Sequence, residues 1–501
     1  MTLTHRPTPA ATFPNLGDRL ATPALNYVAG RWEEASSGAT FAVRNPAMPS
    51  EVLGRFPESA PADVARAITA AQDAFHTWSR LPAPQRGQVI ARAIALLKER
   101  AEELAHALSW ESGKVLAEAR VEVTRGLNAM EYLVAEARRQ AGQTIPSELP
   151  GTVTYTVRRP LGVVGLITPW NFPFAIPAWK VVPALVTGNT VVMKPAEQTP
   201  VCTALIVQAF DEAGLPSGVL NLVNGGPAVG EAIVADPAIK AISFTGSTAV
   251  GKLINQRASA RLAKVQLELG GKNAAIVLDD ADLDLAAREI AMGAWGTTGQ
   301  RCTATSRVIV MKGVASALLD RLKTHAAALK VGHGLEDGRT MGPLINQEAL
   351  DKVERYVAIA RQEGATVLCG GERLGGELSE GYFYAPTLLT GVKPHHTVAN
   401  EEIFGPVLSV IEVGSCEEAL QVANSVPYGL SSAVFTRDVG RVFGYAEALE
   451  TGLLHVNCAT VLSEVHLPFG GMKDSGFGGR EMGPTVIDFF TEWQTMYLRH
   501  L

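Results

Sequence analysis

Cys302 lies in GTTGQRCTATSR, where glycines and small hydroxyl residues let a backbone come close to a ligand. A thiolate at such a place is a strong nucleophile, yet a cysteine taken alone is more often a small buried hydrophobe. Glu268, in LELGGK, is set apart by apolar and glycine neighbours, whereas most glutamates are solvated surface groups. An apolar setting raises a carboxylate's pKa toward the working pH, as a general base requires. FTGSTAVG places Gly246 and Gly251 after a strand-like run with four residues between them, so it departs from G-x-G-x-x-G. A helix beginning around Ser247 can still present N–H groups to a phosphate.

The elements that position these residues follow from hydrophobic period. VVGLIT, TVVMK, VLNLV and AISFT alternate with helix-like segments such as PVCTALIVQAFDEAG between Gly162 and Thr245. A second series, AAIVL, SRVIVMK, ATVLCG, VLSVIEV, SSAVFT and LLHVN, resumes from Asn273. Both imply parallel sheets flanked by helices, with ligands where strands end. Upstream, Val64, Ile68, Ala71, Phe75 and Trp78 predict an amphipathic helix over Pro61 to Arg80, with Ser59 able to cap it. A long helical region is expected from Pro84 to Ala137, and the Pro-rich first thirty residues are expected to drape over the surface. TVTYTVRR (152–159) and FFTEWQTMYL (489–498) are rich in β-branched and aromatic residues and lie outside the alternation. We expect them to build a subunit interface, with an intrachain hairpin as the alternative.

Composition narrows the class. With 501 residues, 47% hydrophobic and 19% charged, the chain is long enough for several cores and carries less charge than the roughly 25% usual in soluble proteins. Burial between subunits would explain the shortfall. A net charge of -6 and the absence of basic runs argue against nucleic acid. No stretch has the length of a membrane span or the pattern of an export signal. The five scattered cysteines show no metal-ligand spacing, which leads us to expect reduced thiols, no metal and a cytoplasmic address.

Taken together, LELGGKN, GQRCTATSR, TPWNFP, KPAEQTP, FTGSTAVG, EEIFGPV and PFGGMKDSGFGGREMG, which stand along the chain in the family's order, resemble the aldehyde dehydrogenase superfamily from about Asn26 onward. The resemblance implies an α/β fold of two Rossmann-like parallel-sheet domains and a small β oligomerisation arm. The expected division is 1–139 with 161–270 for NAD binding, 271–483 for catalysis, and 140–160 with 484–501 for oligomerisation as a homodimer or homotetramer.

The resemblance also implies roles. Cys302 attacks an aldehyde, giving a thiohemiacetal and then a thioester. The Asn171 amide and the Cys302 N–H stabilise the oxyanion, and Glu268 activates the hydrolytic water. Lys180 and Glu481 resemble a proton-relay pair, with a structural ion pair as the equal alternative. Trp170 and Ser247 approach the phosphates, while Glu402 and Phe404 approach the nicotinamide end. Ile167, Pro169, Asn171, Gly246, Gly251, Glu268 and Leu269 complete the cofactor set. Lys194 and Glu197 lie where the adenosine ribose should rest. A carboxylate there would repel a 2′-phosphate, so NAD is preferred, with NADP also open to the site.

The AIPAWK, GQRCTATSR and HLPFGG…DFFTEWQT stretches look like the branch that oxidises 2-oxoglutarate semialdehyde (2,5-dioxopentanoate). Phe172, Trp179 and Arg301 are the expected substrate residues, the two aromatics forming an apolar tunnel. Aliphatic or aromatic aldehydes and succinate or glutarate semialdehyde are the alternatives. An acylating relative would lack the glutamate of LELGGK, so Glu268 favours water as acceptor.

Overall fold

The computed structural model describes residues 25–500. Its first sheet runs, edge to edge, Arg31–Glu33, Asn26–Val28, Leu220–Leu222, Thr190–Lys194, Val163–Ile167, Ile239–Thr245, Lys264–Glu268 and Gly476–Phe477. The five strands from Leu220–Leu222 to Lys264–Glu268 are parallel. Val163–Ile167 and Thr190–Lys194 are buried throughout, which is why they read as unbroken apolar runs rather than alternating ones.

The second sheet runs Thr366–Cys369, Thr387–Thr390, Val407–Val413, Thr305–Met311, Asn273–Val277, Ser431–Phe435 and Leu453–Val456, parallel except for its first pair. Helices cover both sheets, and four apolar clusters fill the layers. The class is α/β, as expected. A third, antiparallel sheet joins Thr491–Arg499, Thr152–Pro160 and Thr144–Ile145.

Two features of this topology create a site. In the first sheet, strand order runs from Val163–Ile167 outward in both directions, so a crevice opens beyond the carboxyl ends of Val163–Ile167 and Ile239–Thr245. In addition, only residues 269–272 separate Glu268, at the carboxyl end of its strand, from Asn273, which starts the second sheet. That short link brings the amino end of the second sheet against the crevice. Arg307, buried in the second sheet, clamps the link by donating from Nε to the Lys272 carbonyl at 3.0 Å, while its two Nη groups hold the Val422 and Ala423 carbonyls at 3.0 Å each.

Several local expectations need correction. The first helix is Pro61–Trp78 and its N-cap is Ala60, whose N–H is met by Asp63 Oδ2 at 2.8 Å. Ser59 instead accepts from Asn26 Nδ2 at 2.8 Å, so an acid three residues on has displaced the hydroxyl. The region 84–137 is not continuous: Ala83–Glu99, Ala101–Ser112 and Leu116–Val134 are separate helices, with left-handed Gly113 ending the second. Of the N-terminal stretch expected on the surface, 1–24 lie outside the described residues, and Asn26–Val28 forms a buried strand. The C-terminal strand begins at Thr491; Phe489 belongs to a short helix, Val486–Phe489, and both Phe489 and Phe490 are buried.

Candidate active site

The crevice holds a cavity of about 350 Å³ lined by Pro169, Trp170 and Asn171 from one strand end and by Gly246 and Ser247 from the other. Leu269, just past the first sheet's strand Lys264–Glu268, lines it as well, and Glu402, Phe404 and Cys302 close it from the second sheet's side. Ser247 caps the helix Thr248–Ser259, so the positive end of that helix faces the cavity. Trp170 meets the Phe404 ring edge-on at 5.4 Å between centroids. Phe404 has φ +60°, an uncommon backbone state for a bulky residue, held between Glu402 and the next strand.

A second, inner cavity of about 80 Å³ adjoins the first, and Ile176, Thr245 and Cys302 line both. Cys302 is therefore one of three residues at which the two spaces meet, and the one of them with a nucleophilic side chain. Its loop is unusual: Thr297 and Thr298 both take left-handed backbone, at φ 52° and 57°. The strain is held by specific bonds. The Thr297 N–H donates to Glu118 at 2.6 Å, Thr298 Oγ1 donates to the Gly342 carbonyl at 3.0 Å, and Gln300 Oε1 accepts from Ile345 N–H at 2.9 Å. Asn273 Nδ2 donates to the carbonyls of Cys302 and Ala304, at 2.8 and 2.9 Å. Asn171 Nδ2 donates to the Gln300 carbonyl at 3.0 Å, which fixes the amide beside the loop while its second N–H remains for another acceptor.

Electrostatics at the sulfur are unfavourable to a resting thiolate. Burial, then the carboxylates of Glu268, Glu402 and Glu481, push the Cys302 thiol up to about 12. Glu268 is itself only 3% exposed. Burial and then Glu481 hold its carboxyl well above the usual carboxylate range, against the opposing pull of Lys180 and Arg480. Its Oε2 is buried without a hydrogen-bond partner. Its Oε1 packs where a side chain on Gly470 would sit, 2.4 Å from that Cβ position, so only glycine fits there. Glu268 faces residues 470–471 and lines neither cavity.

Lys180 and Glu481 form a buried ion pair, and Glu481 lines the inner cavity. Glu481 also accepts from Trp179 Nε1 at 2.7 Å, and Lys180 donates to Ser243 Oγ at 2.6 Å. Glu402 accepts the Gly271 N–H at 2.9 Å, and burial raises its pKa.

The remaining cofactor residues sit outside the main cavity. Ile167 is buried at its strand end, and Gly251 lies where a Cβ would strike the Leu269 side chain at 2.4 Å. Lys194 and Glu197 pair at 3.4 Å, near Gly226, whose N–H donates to Glu58 at 3.0 Å. Phe172, Trp179 and Arg301 all line the inner cavity. The tunnel is not apolar, however, because Lys114, Glu118, Glu122 and Arg125 line it too.

Sequence reasoning missed these four. Lys114 pairs with Glu122 and its Nζ sits 3.9 Å over the Phe172 ring. Glu122 in turn accepts the N–H groups of Phe174 and Ala175, at 3.1 and 3.3 Å, where the helix Ala175–Val186 starts. Only the helical spacing of 118, 122 and 125 could have placed them on one face.

The Aldehyde dehydrogenase family profile matches residues 32–496. The chain belongs to the aldehyde dehydrogenase family. As a member it is an oxidoreductase, and its relatives agree along nearly the whole length. The alpha-ketoglutaric semialdehyde dehydrogenase of Bacillus subtilis (strain 168) is 44% identical over 477 residues, covering 95% of this chain and 98% of that protein. The crystal structure of a succinate-semialdehyde dehydrogenase from Burkholderia pseudomallei superposes with TM-score 0.92 at 41% identity, covering 95% of this chain and 98% of that one. That of betaine aldehyde dehydrogenase from Staphylococcus aureus in complex with NAD+ gives 0.94 at 34% identity, covering 97% of each. Among the described residues of this aldehyde dehydrogenase, no helix is long and apolar enough to cross a membrane, and all five cysteines are free.

Proposed function

We propose that the enzyme oxidises a short semialdehyde bearing a carboxylate, of which 2-oxoglutarate semialdehyde is the first choice, to the acid with NAD, through a thioester on Cys302. The observation that carries this is the position of Cys302 at the meeting point of the crevice beyond the strand ends and a small second cavity. The crevice fits the cofactor: Trp170, Ser247 and the helix N-terminus would hold the pyrophosphate, and Glu402 and Phe404 the nicotinamide end. When bound, the dinucleotide supplies the acceptor for the hydride.

The protein's own part is the following. Glu268 takes the Cys302 thiol proton and passes it on through the Lys180–Glu481 pair as the sulfur bonds to the aldehyde carbon, and the oxygen takes the negative charge. Asn171's free N–H and the Cys302 backbone N–H meet that charge, and losing one such donor costs about 3 kcal/mol. After oxidation the carbon is held as a thioester. Glu268, with an unpartnered buried oxygen, takes a proton from water. The hydroxide displaces sulfur, releasing the acid and restoring the thiol. Lys180 and Glu481 set the field at Glu268 and offer it a buried route for the proton.

The preference for NAD rests on Glu197 and on Glu58 across Gly226, two carboxylates that oppose a 2′-phosphate. The inner cavity's cations and the Bacillus relative's name support an anionic semialdehyde. Assembly through the third sheet, and a reducing cytoplasm for the five thiols, complete the proposal.

A spectrophotometric panel of semialdehydes and uncharged aldehydes with NAD and NADP tests it. The highest kcat/KM is expected with 2-oxoglutarate semialdehyde and NAD. Cys302→Ala abolishes turnover, and Glu268→Gln accumulates an acyl adduct on Cys302 visible by mass spectrometry. Turnover by Cys302→Ala, or acyl-coenzyme A as main product when coenzyme A is supplied, refutes the mechanism.

A further inference from the structure

Beyond the inner cavity lies an outer one of about 490 Å³, which opens the route to solvent. Val121, Arg125 and Ser463 line both, so they form the neck between solvent and the chamber containing Cys302. Arg125 spans that neck and hydrogen-bonds to Ser463 Oγ through Nη2.

The chamber's cations are not equivalent. Lys114 is spent on Glu122; Lys180, which lies behind the wall and does not line the chamber, is spent on Glu481. Arg301 donates to Thr297 Oγ1 at 2.8 Å and lies 3.7 Å from Glu118. Arg125 has no carboxylate partner among the described residues; its protein hydrogen bond is to a neutral hydroxyl, and its Nε is buried with no partner. On this half-buried side chain, a buried Nε–H left without an acceptor is costly unless a ligand supplies one. Nε and Nη2 share one edge of the guanidinium, the edge that takes a carboxylate in bidentate fashion. That edge is anchored from behind: Arg125 projects from the helix Leu116–Val134 and its guanidinium carbon lies 5.9 Å from the Trp179 ring.

Resting on the reading of Cys302 as the aldehyde's attachment point, we propose that Arg125 is the specificity residue that binds the distal carboxylate of the substrate, taking it in exchange for Ser463. The aldehyde then points inward to Cys302 while the acid group stays at the neck. Arg301, already committed to Glu118 and Thr297, shapes the chamber and is not the anchor.

Glutarate semialdehyde and pentanal test this, since they share chain length and differ in the terminal carboxylate. In Arg125→Met, the KM for glutarate semialdehyde rises about 30-fold with a much smaller change in kcat, the loss expected of a charge-assisted hydrogen bond. The preference over pentanal shrinks in proportion, and Arg125→Lys restores part of it. Ser463→Glu, which sets a carboxylate against the guanidinium from a loop, raises the same KM and weakens competitive inhibition by glutarate. An unchanged preference in Arg125→Met and Ser463→Glu, or its loss in Arg301→Met alone, overturns the assignment. Wild-type enzyme that oxidises neither aldehyde would instead count against the proposed function itself.

Discussion

At Cys302 the geometry invites nucleophilic attack while the local field opposes it. The thiol is lifted to about 12 from an ordinary 9.0 by burial and three carboxylates, which outweigh the charge of Arg125 in the same chamber. A thiol so placed stays protonated at neutral pH, and the protonated form is the less readily oxidised one. Alkylation of Cys302 by iodoacetamide should then climb about tenfold per pH unit from about pH 7 to about pH 9, because only the thiolate reacts. Peptide mass spectrometry over that range checks this, and a plateau near pH 8 would mean an activated thiolate in the resting enzyme. Glu268→Gln should speed alkylation at the upper end, since it removes the largest of the three opposing charges. The sequence marked Cys302 and Glu268 as candidates through the seven motifs taken together, their glycine-rich surroundings being suggestive alone. It could not reveal Arg125, on an ordinary helix face, or Lys114, in the loop between two helices, whose approach to Cys302 spans more than 170 residues of chain.

The cysteine loop is an element held in an uncommon conformation by neighbours. Gln300 is its central tie: its carbonyl takes Asn171, its side-chain oxygen takes the Ile345 N–H, and its Nε2 donates to the Pro343 carbonyl at 3.3 Å. Gln300→Ala strands two buried backbone groups, a cost of about 1–3 kcal/mol each. It should lower the urea midpoint and also reduce kcat, because Asn171 and Cys302 lose their common support. A variant of unchanged midpoint and full kcat would show that the loop holds its shape without this tie. The strands around the site were legible as apolar runs, since parallel strands buried on both faces carry no competing polar pattern. Lys264–Glu268 was not read as a strand, because its polar Lys264 and Gln266 interrupt the run and Gln266 is paired inside the sheet with Ser243 at 2.8 Å. Ser59 misled for a similar reason, as a cap is chosen by which side chain reaches the N–H first.

For the whole molecule, the decisive feature is the third sheet. Thr152–Pro160 and Thr491–Arg499 pair with each other over their full length, so the intrachain pairing weighed against an interface does form. Pairing satisfies the shared edge and yet leaves the sheet's apolar groups in water: Val153 is 52% exposed, Trp493 50%, Tyr497 68% and Leu498 51%. Ile145 and Leu149 are exposed beside them. Trp493 and Tyr497 share one face of the sheet and Val153 and Leu498 the other, and exposed apolar groups on both faces, like the low charged fraction of the sequence, are what self-association would withdraw from solvent. The proposed self-association places that sheet between copies. Trp493→Glu with Tyr497→Glu sets carboxylates into the contact without touching the backbone pairing of the two strands. Light scattering should then report a mass reduced to a smaller assembly or the monomer, while circular dichroism stays that of the folded chain. If the double variant keeps the wild-type mass, the sheet is a cap on its own subunit and assembly must use another face.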